Sequence, residues 1–179
     1  MARCLLFIVA AAVWLPVVAA GSAQSPAASR YPDPLGDQAV EPRCGDISGL
    51  VVSDRRSVVE LTVNIRAFRC GEAIVALDTD RDGRWDYDLG FRGTTGSRGA
   101  IDHFWPIGAD DSIGPDVRKK ILSVLHRGDG YTFRFRARDL GVKRAFGFEA
   151  HLNGRYMSDV VDTAPDYPKD WFTYRLTGR

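Results

Sequence analysis

Val75-Ala76-Leu77-Asp78-Thr79-Asp80-Arg81-Asp82-Gly83-Arg84-Trp85-Asp86-Tyr87-Asp88-Leu89 reads as an apolar run, an acidic turn and a return to alternation. The entering run lacks the three-and-four spacing of a helix. Tyr87 and Leu89 leave the turn with a spacing of two, so both flanks read as strands. Five aspartates fall within the eleven residues from Asp78 to Asp88. Like charges at that density repel one another unless something neutralises them. Carboxylates at alternate positions, followed by a glycine that bends the backbone, are what a calcium loop requires. Asp78, Asp80, Asp82 and Asp86 are the expected ligands, with an affinity of roughly 10⁻⁴–10⁻³ M if the site is of the extracellular type. An EF-hand is excluded, because its twelfth position should be a bidentate glutamate and here it is Leu89. The plain alternative is a solvated acidic turn that partly pairs with Arg81 and Arg84.

Outward from this stretch the alternation continues. Val59, Leu61, Val63, Ile65 and Ala67 alternate with Glu60, Thr62, Asn64 and Arg66, the pattern of a sheet that is wet on one face. Ile47 to Ser53 precedes it across the polar turn 53–57, so these two strands predict a hairpin. Ala73 to Leu77 is apolar on both faces and predicts a central, covered strand. Tyr131, Phe133, Phe135 and Ala137 are expected to face inward, as are Phe146, Phe148, Ala150 and Leu152. Short strands at Ala100–Trp105 and Trp171–Leu176 complete the set. Gly114 to Arg127 is the one helical candidate, with Pro115 at the first position and Val117, Ile121, Val124 and Leu125 on one face. Ile121 to Leu125 reads equally well as a strand. About eight strands with polar turns and at most one short helix indicate an all-β antiparallel β-sandwich of jelly-roll-like type.

The ends of the chain speak to location. Arg3, an apolar run from Leu5 to Ala20 broken by Pro16, and the small residues around Val18-Ala19-Ala20 or Gly21-Ser22-Ala23 read as a secretory signal over residues 1–23. The run is short for a membrane span of about 20 residues. Residues 24–32 are expected to be a disordered linker, and 33–179 the sandwich domain. Cleavage removes Cys4 and leaves Cys44 and Cys70, just before and just after the two hairpin strands. Folding the hairpin brings them opposite each other. A disulfide there closes a loop of about 26 residues, worth about 2–4 kcal/mol in the loop-entropy account. The chain carries 24 Lys+Arg against 23 Asp+Glu, and only Arg3 lies in the signal. A mature net charge near zero gives no reason to expect nucleic acid or an anionic membrane as partner.

Other candidate sites are weaker. Arg134, Arg136 and Arg138 share an outward face and can grip an anion such as an acidic polysaccharide or phosphate. Cross-strand pairing with acids such as Glu149 is the favoured reading of that row. His103, His126 and His151 fall on separate elements, with no nucleophile motif, zinc spacing or phosphate loop. Trp85, Trp105 and Trp171 have the flat faces that stack on sugar rings, though core and rim packing claims most aromatics in a sandwich.

Three stretches together resemble a known group. Asp33-Pro34-Leu35-Gly36-Asp37 with Gly45-Asp46-Ile47, Leu77-Asp78-Thr79-Asp80 with Asp86-Tyr87, and Asp162-Thr163-Ala164-Pro165-Asp166 leading to Trp171-Phe172-Thr173-Tyr174 are similar to bacterial exported β-sandwich domains. Family 9 carbohydrate-binding modules and DOMON-type domains have similar jelly-roll folds. The resemblance implies a sandwich, often with bound calcium, in secreted or cell-surface proteins, many of unknown activity. This chain departs from the group in having Gly83-Arg84 where a Thr-Gly pair is common. The Cys44 and Cys70 pair is also outside the pattern, and no haem ligands are recognisable.

The expected function is a secreted, periplasmic or cell-surface, non-catalytic binding domain with a calcium-stabilised loop. Its expected partner is a polysaccharide or a cell-surface protein. The alternative is a small secreted metal-dependent hydrolase that uses Asp78 and Asp80 to hold a metal for water activation.

Overall fold

The computed structural model describes residues 28–36, 44–69, 71–92, 101–110, 112–127, 129–153, 160–166 and 171–177. The expected signal peptide and Cys70 lie outside these residues. Eleven strands make two antiparallel sheets that face each other as a sandwich. The strands are β1 (Ser29–Pro32), β2 (Asp46–Arg55), β3 (Val58–Arg66), β4 (Glu72–Asp78), β5 (Tyr87–Arg92), β6 (Ile101–Pro106), β7 (Ile121–Arg127), β8 (Gly130–Arg136), β9 (Ala145–Asn153), β10 (Val160–Ala164) and β11 (Phe172–Arg175). The first sheet runs β1-β2-β3-β8-β7, and the second runs β10-β9-β4-β5-β6. β11 also pairs with β9, along Ala145–Phe148, while β10 takes Ala150–Asn153.

The alternation read from the sequence is the core. Val59, Leu61, Val63 and Ile65 of β3 and Phe133 and Phe135 of β8 are buried from one side. Val75, Leu77, Phe146, Phe148, Ala150 and Leu152 are buried from the other, and all join one apolar cluster. β4 sits between β9 and β5, the covered central place that its apolar run predicts.

Four elements differ from expectation. Residues 29–32 do not belong to a linker: Ser29–Pro32 pairs with Gly49–Val52 as edge strand β1. Gly49 permits the close approach, since a side-chain carbon there would lie 2.6 Å from the Tyr31 carbonyl oxygen at a φ of +128°. The helix expected over 114–127 is a single 3-10 turn at Arg118–Lys120 followed by strand β7. The cause is a bulge: Ile121 pairs with Phe135 and Val124 with Phe133, with the register shifting between Ile121 and Ser123. Two inward residues thus stand three apart, which imitates a helical period. β3 ends at Arg66, and Ala67 turns to a φ of 54° rather than continuing the strand. Finally, β10 (Val160–Ala164) is a strand beyond those read from the sequence.

The β2–β3 hairpin is as expected, with Arg55 opposite Val58 and only Arg56 and Ser57 between. Both have positive φ, 50° and 64°, which is the type I′ turn demanded by strand twist but usually made by Asn-Gly. At the open end the Cys44 carbonyl accepts the Arg69 N–H at 2.9 Å, so the backbone there is closed.

Two buried carboxylates tie one sheet to the other. Asp54, at the end of β2, accepts the Tyr174 hydroxyl (2.8 Å), the Thr177 N–H (2.7 Å) and the Thr177 hydroxyl (2.9 Å) on one oxygen. Asp162, on β10, accepts the Ile47 N–H of β2 at 2.6 Å. Burial, reinforced by the neighbouring Asp54, pushes the Tyr174 hydroxyl up from 10.0 to about 12.

Two outcomes follow from this geometry. Replacing Ser57 by glycine removes a left-handed cost of about 1–2 kcal/mol and adds glycine's chain entropy, for a net gain of about 0.5–1 kcal/mol in urea unfolding. Tyr174 keeps its proton in the folded chain after the unfolded chain has lost it. Its stabilisation is therefore full below pH 10 and is lost as pH rises toward about 12. Tyr174→Phe should cost about 1.5–3 kcal/mol at neutral pH, as for a hydrogen bond to a charged group. The gap from wild type should narrow across that alkaline range, as followed by urea midpoints against pH.

Candidate functional site

Asp78 ends the central strand β4 and is 3% exposed. One carboxylate oxygen accepts the N–H groups of Arg81 (2.6 Å) and Asp82 (3.2 Å), and the other accepts that of Gly83 (2.9 Å). Arg81 and Gly83 reach these positions with φ of 70° and 86°, which explains the glycine and leaves Arg81 in a region that side chains rarely adopt. Asp86 turns back to accept both the N–H and the hydroxyl of Thr79 at 2.6 Å. Asp80 and Asp82 cap the N–H groups two residues on, at 3.1 and 2.9 Å. The loop is therefore wound around its own carboxylates, with backbone N–H groups supplying partial positive charge.

Of the four expected ligands, Asp78, Asp80 and Asp86 come together. One oxygen from each lies within 4.8 Å of the others, a spacing in which the three can hold a metal ion. Asp82 is exposed and outside this group. An ionised carboxylate has about four lone-pair sites, and Asp78 uses three on the loop. Arg84 reaches the Ala109 carbonyl at 3.0 Å. Leu89, at the twelfth position, is a core residue.

The same loop places Trp85 against the outer face of the second sheet. Its indole N–H donates to Glu149 Oε1 at 2.6 Å, and its ring centroid lies 5.3 Å from that of His151. His151 Nε2 is 3.0 Å from the same Glu149 oxygen, within ion-pairing distance but not aligned for a hydrogen bond. Glu149 and His151 point outward from β9 because Phe148 and Ala150 point into the core. The register carries the row across four strands: Glu149 opposite Ala76, Ala76 opposite Asp88, and Asp88 opposite Trp105. Trp85, Asp88, Trp105, Glu149 and His151 are all half-buried. Trp171 covers Gly147 of β9 together with Asp78: a side-chain carbon on Gly147 would meet Asp78 Cβ at 3.2 Å and Trp171 Cε3 at 3.4 Å.

Two readings of the sequence are corrected here. Glu149 is not a partner of the arginine row, since it lies in the opposite sheet. Arg134 instead pairs with Glu60 at 2.9 Å, and Arg136 and Arg138 approach Asp139 at 3.9 and 3.4 Å. His151 is no isolated histidine but part of the Trp85–Glu149 cluster. Alternation along β9 already turned both residues outward; nothing in the sequence linked them to a tryptophan 64 residues away. The side chains of His103 and His126 lie outside those described.

No protein-family model matches the chain, and no curated sequence matches it. Among solved structures, the chain is similar to a carbohydrate-binding module of family 9 from Caldicellulosiruptor kristjanssonii, solved in complex with cellotriose. Identity is 12%, the match covers 84% of this chain and 83% of that one, and the TM-score is 0.47. Among the described residues no helix is long and apolar enough to cross a membrane.

Removing the Asp78 carboxylate orphans three N–H groups. Asp78→Ala should lose about 2–4 kcal/mol even in chelator, and Asp80→Ala, which releases one exposed bond, under about 1 kcal/mol. Urea unfolding of both variants in chelator checks the order.

Proposed function

We propose that this protein is a secreted, non-catalytic binding domain whose outer sheet face takes a glycan and whose Asp78–Asp86 loop takes calcium. The observation that carries the reading is the row of half-buried Trp85, Glu149, His151, Asp88 and Trp105 on one face. Glycan recognition calls for flat aromatic surfaces beside fixed carboxylates, which meet the apolar and the hydroxyl faces of a sugar ring. The Glu149 bond holds the Trp85 ring in place before any ligand arrives, which lowers the ordering cost of binding.

Calcium suits the convergence of Asp78, Asp80 and Asp86, because hard oxygen donors at loop positions are its usual ligands. Asp78 is largely engaged by backbone N–H groups, an arrangement that favours a structural ion over one that activates water. The Cys44–Cys70 disulfide belongs to the same reading, supported by the closed backbone at Cys44 and Arg69. Cleavage of residues 1–23 would deliver the chain to an oxidising compartment.

A soluble glycan array on the mature protein, followed by isothermal titration of the hits, tests the binding face. Trp85→Ala and Trp105→Ala should each weaken binding by about tenfold or more, the scale of a lost aromatic anchor. An array without hits contradicts the glycan reading. Calcium titration should give a dissociation constant of roughly 10⁻⁴–10⁻³ M that disappears in Asp80→Ala; heat flow unchanged by that substitution contradicts the site.

A further inference from the structure

A cleft of about 540 Å³ opens at the end of the sandwich where the chain passes from β8 to β9. It shares no residue with the outer-face row. Its framework is held by backbone bonds: the Ala137 N–H to the Ser57 carbonyl (2.9 Å), the Val142 N–H to the Ala137 carbonyl (3.0 Å) and the Leu176 N–H to the Arg144 carbonyl (2.9 Å). These bonds bring together the β2–β3 turn, the crossing loop and the end of β11. Four cations line the cleft: Arg138, Lys143, Arg144 and Arg175. Arg138 approaches Asp139 at 3.4 Å. Among the described residues, Lys143, Arg144 and Arg175 enter no ion pair with a carboxylate.

In a chain of near-zero net charge, three cations with no carboxylate partner among the described residues, around one concavity, are a local excess that focuses positive potential there. Ala137, Val142 and Leu176 give the lining an apolar part. The volume lies within the range of about 300–1,000 Å³ typical of small-ligand sites. Guanidinium groups match planar or tetrahedral oxyanions in two-point hydrogen bonds, and apolar lining residues suit the C–H face of a sugar ring.

We propose that this cleft binds an acidic saccharide, one carrying a carboxylate or sulfate on the ring, through Lys143, Arg144 and Arg175. The site stands whether or not the outer sheet face binds a glycan. The test is isothermal titration of the mature protein at low salt with a trigalacturonate, a heparin-derived disaccharide and a neutral glucose trisaccharide, and with inorganic sulfate alone. At least one acidic saccharide should bind, more weakly as salt rises; binding of the trigalacturonate shows that ring carboxylates suffice, and binding of the heparin disaccharide alone shows that sulfate is needed. Lys143→Glu/Arg144→Glu should weaken that binding by about tenfold or more. Arg175→Gln should weaken it less, and Lys143→Arg should retain it. Arg66→Glu/Arg69→Glu makes the same charge change at two exposed positions, the last residue of β3 and one just past it, at the far end of that strand, and it should leave binding within about twofold. Three results overturn the proposal: no binding of either acidic saccharide, equal loss in the two double variants, or sulfate or the neutral trisaccharide binding as tightly.

Discussion

The buried carboxylate of Asp78 is the constraint on which the functional part of the molecule depends. It stands where the most covered strand of the protein meets solvent, and it gathers three consecutive N–H groups onto its two oxygens. That gathering fixes the turn. The turn sets Asp86 against Thr79, and one residue earlier it sends Trp85 back over the sheet to Glu149. Core, acidic loop and aromatic face are thus one continuous arrangement. The mutual repulsion of five aspartates is partly answered by backbone dipoles, and a divalent ion held by Asp78, Asp80 and Asp86 would offset more of it.

Charge elsewhere in the molecule is also placed rather than scattered. Asp54 and Asp162 serve as receptors for N–H and hydroxyl groups across the gap between the sheets. Breaking such a tie would orphan buried polar groups, whereas exposed pairs such as Arg134–Glu60 contribute little. With acids committed to loops and seams, Lys143, Arg144 and Arg175, which have no carboxylate partner among the described residues, collect at the β8–β9 crossing. A near-neutral total therefore conceals two regions of opposite sign.

Sequence alternation made the core legible because both sheets are wet on one side, so Val59 to Ile65 and Tyr131 to Phe135 carry a clean period of two. The central place of β4 was legible for the opposite reason, as its apolar run needs cover on both faces. β7 was not, because a bulge moved Ile121 and Val124 onto one face three residues apart. β1 was hidden in a polar stretch whose pairing rests on Gly49 rather than on hydrophobic pattern. The metal-capable aspartates were visible from spacing, but their capping by N–H groups was not, since it depends on positive φ at Arg81. Glu149, His151 and the cation cleft required three-dimensional proximity between distant segments.

Amide hydrogen exchange at Arg81, Asp82 and Gly83, measured in chelator and then in millimolar calcium, addresses the role of Asp78 most directly. Protection of all three amides in chelator, deepened by calcium, is the expected result. Exchange at unstructured-chain rates in chelator, with protection arising only when calcium is added, would show that the ion and not the carboxylate shapes the loop, and would contradict the account.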